Sequence, residues 1–349
     1  MHKHVISPIG RRPAGIGNEI IALAKGLIAK KVFPGVILRP KYEKSIHSYP
    51  QVILDSYPIY KNRLKLSKHI IDVNEFRKFA NYENLWDYTE IVQKSIRATG
   101  RNFEHILHDS KMFGGYLAIR SAKNELQNIL FRDEFTPGGK FRVAMHIRGS
   151  DAYNSVRALK KAFQLPSGTI EGQFNRRISD DFYTSALNAI FHSGLRNVHL
   201  LISTNETSET PLLNSLQTTA SEFGYEWDYA PDNPIEALRL ISEADLIVPS
   251  ISSFSLLAIF LSNAKYLWPR KHLTTRHGTL SIWGFEKDQI DGPTEWLRES
   301  ALNPNYNHLM NRGIPFPSTD FDYLKEWMHS KLIYPISQDL IYYGSVQDL

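Results

Sequence analysis

Short apolar runs alternate with amphipathic stretches through the second half of the chain, and this alternation is the strongest constraint on the fold. Residues 143–147, VAMHI, form a short, largely apolar run that is typical of a buried strand. A strand that alternates with a helix predicts a parallel sheet with helices packed on its faces. The predicted strands span 143–147, 197–203, 245–249 and 264–268, and the predicted helices span 180–192, 212–223, 235–244 and 253–262.

The first half opens with the same rhythm. A β-type run at 4–9 is followed by a loop at 10–17 that is rich in Arg, Pro and Gly, and then by a helix predicted over 18–31. A further short strand is predicted at 35–38, whereas the pattern of 41–130 indicates mostly helix. A strand, a glycine-containing turn and a helix are the opening of a doubly wound α/β sheet.

A cluster of helix and strand breakers, TPGGK at 136–140, separates the two halves. We therefore predict an α/β fold of two Rossmann-like domains that face each other across a ligand cleft. The first domain is predicted to span 1–137 and the second 138–325. The remaining residues, 326–349, are predicted to pack back across the hinge and include the end of a helix over 321–332.

The composition excludes several classes of protein. The chain of 349 residues contains no cysteine, so disulfides, thiolate metal sites and a cysteine nucleophile are excluded. Its net charge of +5 favours anionic ligands but is too small and too evenly spread to predict nucleic-acid binding. With neither an apolar signal region nor a membrane-length apolar stretch, we expect a cytoplasmic protein, with peripheral attachment to the inner membrane as an alternative.

Polar residues follow four of the predicted strands, at 8–18, 146–151, 203–205 and 250–255. Ligands of parallel α/β sheets bind outside the carboxyl ends of the strands. If the strands are assigned correctly, the four segments lie on one side of their sheets. This convergence predicts a ligand site more strongly than any one motif does.

The stretch HIRGSD carries the most reactive side chains. Arg148 can bind a phosphate through two hydrogen bonds, His146 can contact a base, ribose or phosphate, and Asp151 can orient the arginine or bind a sugar hydroxyl. The alternative is that Arg148 and Asp151 form a surface ion pair while His146 is a satisfied core histidine, and the residue types alone leave these interpretations equally weighted.

The other two segments combine backbone amides with hydroxyl or amide side chains. SISSFS at 250–255 follows a strand and opens a helix, which makes an anion site, but Ser252 or Ser253 is also an ordinary helix N-cap. PAGIGN at 13–18 lets the backbone approach a ligand closely, and Asn18 is its natural N-cap. Capping is the simpler interpretation of each segment by itself.

Taken in order, these patches resemble the fucosyltransferases that use GDP-fucose, the group of α1,2-, α1,6- and protein O-fucosyltransferases. The resemblance is carried by GIGNEIIALAKGL at 15–27, HIRGSD at 146–151 and ADLIVPSISSFSLLA at 244–258, supported by DDFYTSALNAI at 180–190. The matched positions cover about a fifth of the chain. The resemblance implies a GT-B fold, an inverting mechanism, no metal ion, and no cofactor other than the nucleotide-sugar donor.

The resemblance also implies roles for individual residues. Arg148 would hold the β-phosphate of GDP, His146 would place the nucleotide, and Asp245 would read the guanine. The second domain would bind the nucleotide sugar and the first would receive the acceptor, a glycan or another hydroxyl compound. The implied donor-binding residues are Gly15, Gly17, Asn18, His146, Arg148, Asn205, Asp245, Ser252, Ser253 and Phe254, and the implied catalytic residues are Arg148, Asp151, Asn18 and Glu19.

The chain departs from the family at one position. Many relatives carry a second arginine directly after the first, where this chain has Gly149, so that contact is absent or is supplied by Arg11 or Arg12. Asp151 and Glu19 are both candidates for the general base. No H-x-x-x-H or H-E-x-x-H pattern predicts a catalytic metal, and no Gly-x-Ser-x-Gly elbow predicts a serine hydrolase.

Three functions therefore remain open at the level of sequence. The first is transfer of fucose from GDP-fucose, the second is transfer from another nucleotide sugar on the same fold, and the third is non-catalytic binding of a sugar or nucleotide. Gly149 lends weight to the third of these.

Overall fold

The chain folds into two compact units, and each is described here by itself. The first comprises Met1–Arg132, Leu280–Asn305 and Pro335–Leu349, and the second comprises Asp133–Thr279 and Tyr306–Tyr334. The structure is a computed structural model. It describes residues 5–9, 15–33, 35–39, 67–72, 103–108, 122–131, 139–149, 178–206, 210–250, 252–269, 313–316 and 321–330, with the single positions 97, 99 and 119.

The first unit contains a four-stranded, fully parallel sheet in the order β2-β1-β4-β3. Helix α1 packs on this sheet. Gly26 of this helix lies so close to the strands that an added Cβ would be 3.0 Å from the side chain of Pro8 and 2.8 Å from that of Leu38. The strands are β1 Val5–Ile9, β2 Ile37–Leu38, β3 Ser67–Asp72 and β4 Phe103–His108, and the helices are α1 Ile16–Val32 and α2 Lys123–Leu130.

Two expectations for this unit need correction. Residues 41–130 were expected to be mostly helical, but in the described part of this range 67–72 and 103–108 are the strands β3 and β4, and 123–130 is the helix α2. The polar character of SKHIID and FEHILH hides the strand period, since the polar residues Ser7, Glu104 and His105 are themselves buried in this sheet. Helix α1 begins at Ile16 with Gly15 as its N-cap, so Asn18 lies within the first turn and is not the cap.

The second unit is built on a six-stranded, fully parallel sheet in the order β10-β9-β8-β5-β6-β7. Counted from β5, this is the order 3-2-1-4-5-6 of dinucleotide-binding folds. The predicted α/β class is therefore confirmed. The strands are β5 Phe141–Ile147, β6 Val198–Thr204, β7 Glu226–Tyr229, β8 Leu246–Val248, β9 Lys265–Pro269 and β10 Gly313–Phe316.

The helices of the second unit follow the predicted alternation. The four expected between 180 and 262 are present with bounds that shift by two residues or less, whereas strands β7 and β10 were not predicted. Helix α6, SFSLLAIFL, is buried on all sides, as expected for an almost wholly apolar helix. The helices are α3 Asp180–His192, α4 Pro211–Glu222, α5 Pro234–Ser242, α6 Ser253–Leu261 and α7 Phe321–His329.

Helix α7 belongs to the second unit. Trp327 and Met328 are part of the same core cluster as the residues of β5 and α3. The ammonium of Lys265, at the start of β9, is buried and donates to the carbonyl oxygens of Met328, at 3.0 Å, and of Trp327 at the end of α7. Residues 326–330 therefore pack on the second sheet, and the rest of the expected closing segment, 331–349, lies outside the described residues.

Candidate functional site

The order of the second sheet places its topological switch point between β5 and β8. From β5 the chain proceeds first to β6 and β7 on one side and then to β8, β9 and β10 on the other. Connections on the two sides diverge at such a point and leave a crevice outside the carboxyl ends of the two central strands, which is where open α/β sheets bind ligands. His146 and Arg148 are at the end of β5, and Ser250 follows the end of β8.

The N-terminus of α6 faces this edge of the sheet. Ser252 is its N-cap, in extended conformation, and its side chain accepts a hydrogen bond from the backbone N–H of Ser255 at 3.2 Å. Capping by Ser252 was one of two predicted options and is confirmed. Helix α6 has nine residues, whose aligned peptide dipoles place a partial positive charge at its first turn. Such a helix N-terminus favours an anion.

His146 connects the two strand ends. Its Nδ1 lies 2.6 Å from Ser255 Oγ and 2.8 Å from Ser250 Oγ, so the imidazole bridges from β5 to the residues that start α6. The ring of Phe254 lies 5.2 Å from the imidazole, measured between ring centroids. Phe254 was expected to contact a diphosphate, and in the structure it packs against the histidine.

Arg148 follows β5 and is partly exposed at the carboxyl edge of the sheet. The next residue, Gly149, is buried and donates its backbone N–H to Asn205 Oδ1 at 2.6 Å. Asn205 follows β6, so this bond ties the loop after β5 to the loop after β6. Asn205 was expected to contact a ligand. In the structure, its amide oxygen also holds Gly149, the residue next to Arg148.

Gly149 has no space for a side chain. A Cβ at this position would lie 2.5 Å from Glu206 Cγ, 2.8 Å from Asn205 Oδ1 and 3.0 Å from the backbone nitrogen of Glu206. Carbon atoms cannot approach so closely without moving the loop. The loop after β6 therefore occupies the space that a side chain at position 149 would need.

Asp245 is not part of this group, which corrects the expectation that it reads a guanine base. Strand β8 begins after Asp245, and because β5 and β8 are parallel, with Val143 opposite Leu246, Asp245 lies at the amino edge of the sheet. There its Oδ2 accepts a hydrogen bond from the backbone N–H of Arg142 at 2.7 Å. A carboxylate that satisfies a strand-edge amide explains its position without a ligand.

In the first unit, the loop after β1 leads into α1, and Gly15 and Gly17 lie at the start of that helix. Asn18 is in the same turn. Glu19 is buried, with only 6% of its surface exposed, and burial raises the pKa of its carboxyl group to about 7. A carboxyl that titrates near neutral pH can take up and release a proton under physiological conditions.

The remaining expected site residues, Asp151, Arg11 and Arg12, lie outside the described residues. Within the part of the chain that the structure describes, no group of three or more His, Cys, Asp or Glu side chains is arranged to hold a metal ion. In the same residues, no helix is long and apolar enough to cross a membrane.

Sequence reasoning missed three residues that shape this site: Ser250, Ser255 and Tyr183. The hydroxyl group of Tyr183 donates a hydrogen bond to the backbone carbonyl oxygen of His146 at 3.2 Å. Ser250 and Ser255 are in the serine-rich stretch at 250–255, which was the available signal, but the spacing alone did not show which hydroxyls turn inward.

Comparisons with known proteins gave matches among solved structures alone. No protein-family model matches the chain, and no curated protein matches it. POFUT1 in complex with GDP-fucose has a TM-score of 0.42 at 12% identity, covering 75% of this chain and 95% of that chain. E. coli ADP-heptose LPS heptosyltransferase II has a TM-score of 0.36 at 9% identity, covering 89% and 99%. E. coli heptosyltransferase WaaC with ADP-2-deoxy-2-fluoro heptose has a TM-score of 0.35 at 11% identity, covering 76% and 89%.

Proposed function

We propose that this chain is an inverting, metal-independent glycosyltransferase that transfers fucose from GDP-fucose to a hydroxyl of a glycan or another acceptor. The observation that carries the proposal is the grouping of Arg148, His146 and the N-terminus of α6 at the switch point between β5 and β8. This is the position at which the nucleotide would be bound in such a sheet. The choice of GDP-fucose rests on the sequence resemblance.

The chemistry of sugar transfer needs positive charge where the leaving diphosphate forms. As the bond between the anomeric carbon and the β-phosphate oxygen breaks, its electron pair remains on the diphosphate. Arg148 would form charge-assisted hydrogen bonds to those oxygens, and the first turn of α6 would direct backbone N–H groups at them. Together they would do the electrostatic work that a divalent metal performs in other transferases.

The acceptor hydroxyl must lose a proton as its oxygen forms the new bond to the anomeric carbon. Asp151 and Glu19 are the two candidates for the general base, and the pKa of the Glu19 carboxyl, which burial raises to about 7, would suit that role. A base with that pKa is half ionised near neutral pH and is strong enough to accept the proton in the transition state. A single displacement of this kind inverts the configuration of the anomeric carbon.

A specific observation favours a second candidate function, in which the donor is another nucleotide sugar. The resembling fucosyltransferases often carry two adjacent arginines, and the packing around Gly149 leaves no room for the second. A chain that departs from the fucosyltransferase pattern at this position need not share the choice of base and sugar of that family. The same fold and the same diphosphate contacts would serve such a donor.

The test is a thermal-shift screen of the wild-type protein with GDP, UDP, ADP and CMP, followed by an assay for donor turnover. Ligands that bind the folded state raise its melting temperature by an amount that increases with the ligand concentration relative to Kd. Stabilisation by GDP but not by UDP supports the first function, and preference for another nucleotide supports the second. Stabilisation by GDP without hydrolysis or transfer of GDP-fucose would contradict catalysis and leave a binding protein.

A further inference from the structure

Two buried serines surround one ring nitrogen of His146 and have no role in the function proposed above. Ser255 Oγ lies 2.6 Å and Ser250 Oγ 2.8 Å from His146 Nδ1. Both serines are fully buried, with 0% of their surface exposed. A hydroxyl that a substrate cannot reach is not a nucleophile, so these two act on the imidazole and not on the ligand.

The two hydroxyls are themselves fixed by a local network. The backbone N–H of Ser250 donates to Ser255 Oγ at 3.1 Å, and Ser250 Oγ donates to Ser252 Oγ at 3.0 Å. The backbone N–H of Ser255 donates to Ser252 Oγ at 3.2 Å, which is also the N-cap bond of α6. Because hydrogen bonds in a buried network strengthen one another, the oxygens that face Nδ1 have defined positions.

The rest of His146 is held as firmly as its ring nitrogen. Tyr183 donates to its backbone carbonyl, and Phe254 packs on its ring at 5.2 Å with a tilt of 41°. With Nδ1 turned into the serine network, the other ring nitrogen, Nε2, lies across the ring from the two serines. An imidazole restrained at its backbone, ring face and Nδ1 loses little entropy when it contacts a ligand.

We propose that Ser250 and Ser255 are positioning residues that hold His146 so that its Nε2 contacts a phosphate or sugar oxygen of the nucleotide-sugar donor. This rests on the proposed function, since it takes the site at the switch point to bind that donor. The serine pair sets which ring nitrogen meets the ligand, because the bond made by one nitrogen determines the tautomer and direction of the other.

The direct test is nuclear magnetic resonance of the protein labelled with ¹⁵N at its histidine rings. The His146 signals are identified by their loss in His146→Gln. In wild type, we expect GDP to move the Nε2 signal of His146 while Nδ1 stays close to its ligand-free position. In Ser255→Ala the Nδ1 signal shifts before any ligand is added, and the affinity for GDP falls about 10-fold, the usual effect of one lost hydrogen bond.

Ser262→Ala is the matched control. Ser262 is also buried, lies at the other end of α6, and accepts a backbone N–H, that of Ala264, at 2.6 Å. Its replacement removes the same kind of hydrogen bond without touching His146. We expect unchanged His146 signals and GDP affinity within about two-fold of wild type. Ser255→Thr, which restores a hydroxyl, should recover the wild-type Nδ1 signal.

Ser250→Ala provides a second variant in case Ser255→Ala does not fold. The positioning role is overturned if folded Ser250→Ala or Ser255→Ala keeps both the His146 signals and the GDP affinity of wild type while Arg148→Ala loses GDP. If Arg148→Ala binds GDP as well as wild type does, the proposed function fails at this site and the positioning role fails with it. The two failures are therefore distinguishable.

Discussion

The end of β1 and the end of β5 occupy equivalent places in their two sheets, but they are chemically opposite. At the end of β5, His146 and Gly149 are hydrogen-bonded to serines and to Asn205, and the site is rich in donors. Beyond β1, Glu19 is buried, and burial raises the pKa of its carboxyl to about 7. No interaction with a described residue contributes to this shift. The first arrangement suits binding of a diphosphate, and the second suits movement of a proton.

This difference suits the two tasks that the proposed function assigns to these ends. A binding site benefits from groups whose positions are fixed before the ligand arrives, since that lowers the entropy lost on binding. A general base benefits from the reverse, because a carboxylate held by hydrogen bonds would have too low a pKa to accept a proton. Replacing residues at each end should therefore affect different measurable quantities.

The largest effect is expected from Glu19→Gln. Removal of a general base typically lowers kcat by about 10²–10⁴-fold, while GDP affinity should remain close to wild type because the proposed diphosphate contacts of Arg148 and α6 are unchanged. In wild type, kcat should fall as the pH drops below about 7, where Glu19 becomes protonated. Steady-state kinetics with GDP-fucose and an acceptor, measured across pH, checks both expectations.

Glu125→Gln is the matched control, because Glu125 is in α2 of the same unit, is half-buried and pairs with Lys31. It should leave kcat unchanged. If Glu19→Gln turns over as fast as Glu125→Gln, Glu19 is not the base, and Asp151 becomes the remaining candidate.

The same substitution should stabilise the protein at alkaline pH. The folded-state pKa of Glu19 is raised above its value in the unfolded chain, so the folded state loses stability as the pH rises from about 4.5 to about 7 and regains it on acidification. Glu19→Gln removes this penalty, and we expect a gain of about 1–2 kcal/mol at pH 8 and none at pH 4. Urea unfolding at the two pH values measures it; equal effects at both would contradict the burial argument.

Gly149→Ala tests the rigidity of the β5 end. The new Cβ would meet Glu206 and Asn205 at 2.5 to 3.0 Å, so the loop must shift, and overpacking of this kind costs about 1–3 kcal/mol. Because Arg148 is the neighbouring residue, GDP affinity should fall about 10-fold as well. Chemical denaturation and GDP titration check the two effects.

Gly139→Ala is the control for this substitution, since a Cβ at Gly139 has nothing within 4 Å. Both its stability and its GDP affinity should match wild type. A Gly149→Ala protein that behaves like Gly139→Ala would mean that the loop adapts freely and has room for a side chain at position 149.

Asn205→Ala and Asn205→Asp test whether the loop is held by the hydrogen bond from Gly149 to the side-chain oxygen at position 205. Alanine removes the acceptor for the buried backbone N–H of Gly149, which should cost about 1–2 kcal/mol of unfolding free energy. Aspartate keeps an acceptor oxygen at the same place and should retain most of that stability. If urea unfolding shows equal losses for both variants, the 2.6 Å bond does not hold the loop.

The smallest effect is expected from Asp245→Asn. This residue lies at the amino edge of the sheet, and asparagine preserves an oxygen that can accept from the N–H of Arg142. GDP affinity should stay within about two-fold of wild type, as for any site distant from the ligand. A loss of 10-fold or more would restore Asp245 to the nucleotide site.

The second unit was largely predictable because its apolar sequence runs coincide with its buried strands and helices. The central strand β5 is buried on both faces through Val143, Ala144, Met145 and Ile147, so a short apolar run was a reliable signal. The first unit was less predictable. Strands β3 and β4 carry charged and histidine residues, and the burial of Glu104 and His105 is a tertiary effect that periodicity does not encode.

For the site, sequence placed Arg148, His146 and the α6 cap at one edge, because alternation of strands and helices predicts a parallel sheet and the carboxyl ends of parallel strands share one edge. The role of Asp245 as a guanine reader came from the family resemblance, although the predicted strand 245–249 already began at this residue, and the structure places it at the amino edge of β8. It also could not show that Gly149 is enclosed by Glu206, since that contact joins loops 57 positions apart and depends on the pairing of β5 with β6.

In the proposed function, the carboxyl edge of β5 and β8 binds the diphosphate of a nucleotide sugar. Calorimetric titration of GDP into Arg148→Ala, beside Arg142→Ala at the opposite end of the same strand, tests it most directly. We predict an affinity loss of about 100-fold or more for Arg148→Ala, from the lost charge-assisted bonds, and wild-type affinity for Arg142→Ala. Equal GDP affinity in the two variants would contradict the claim.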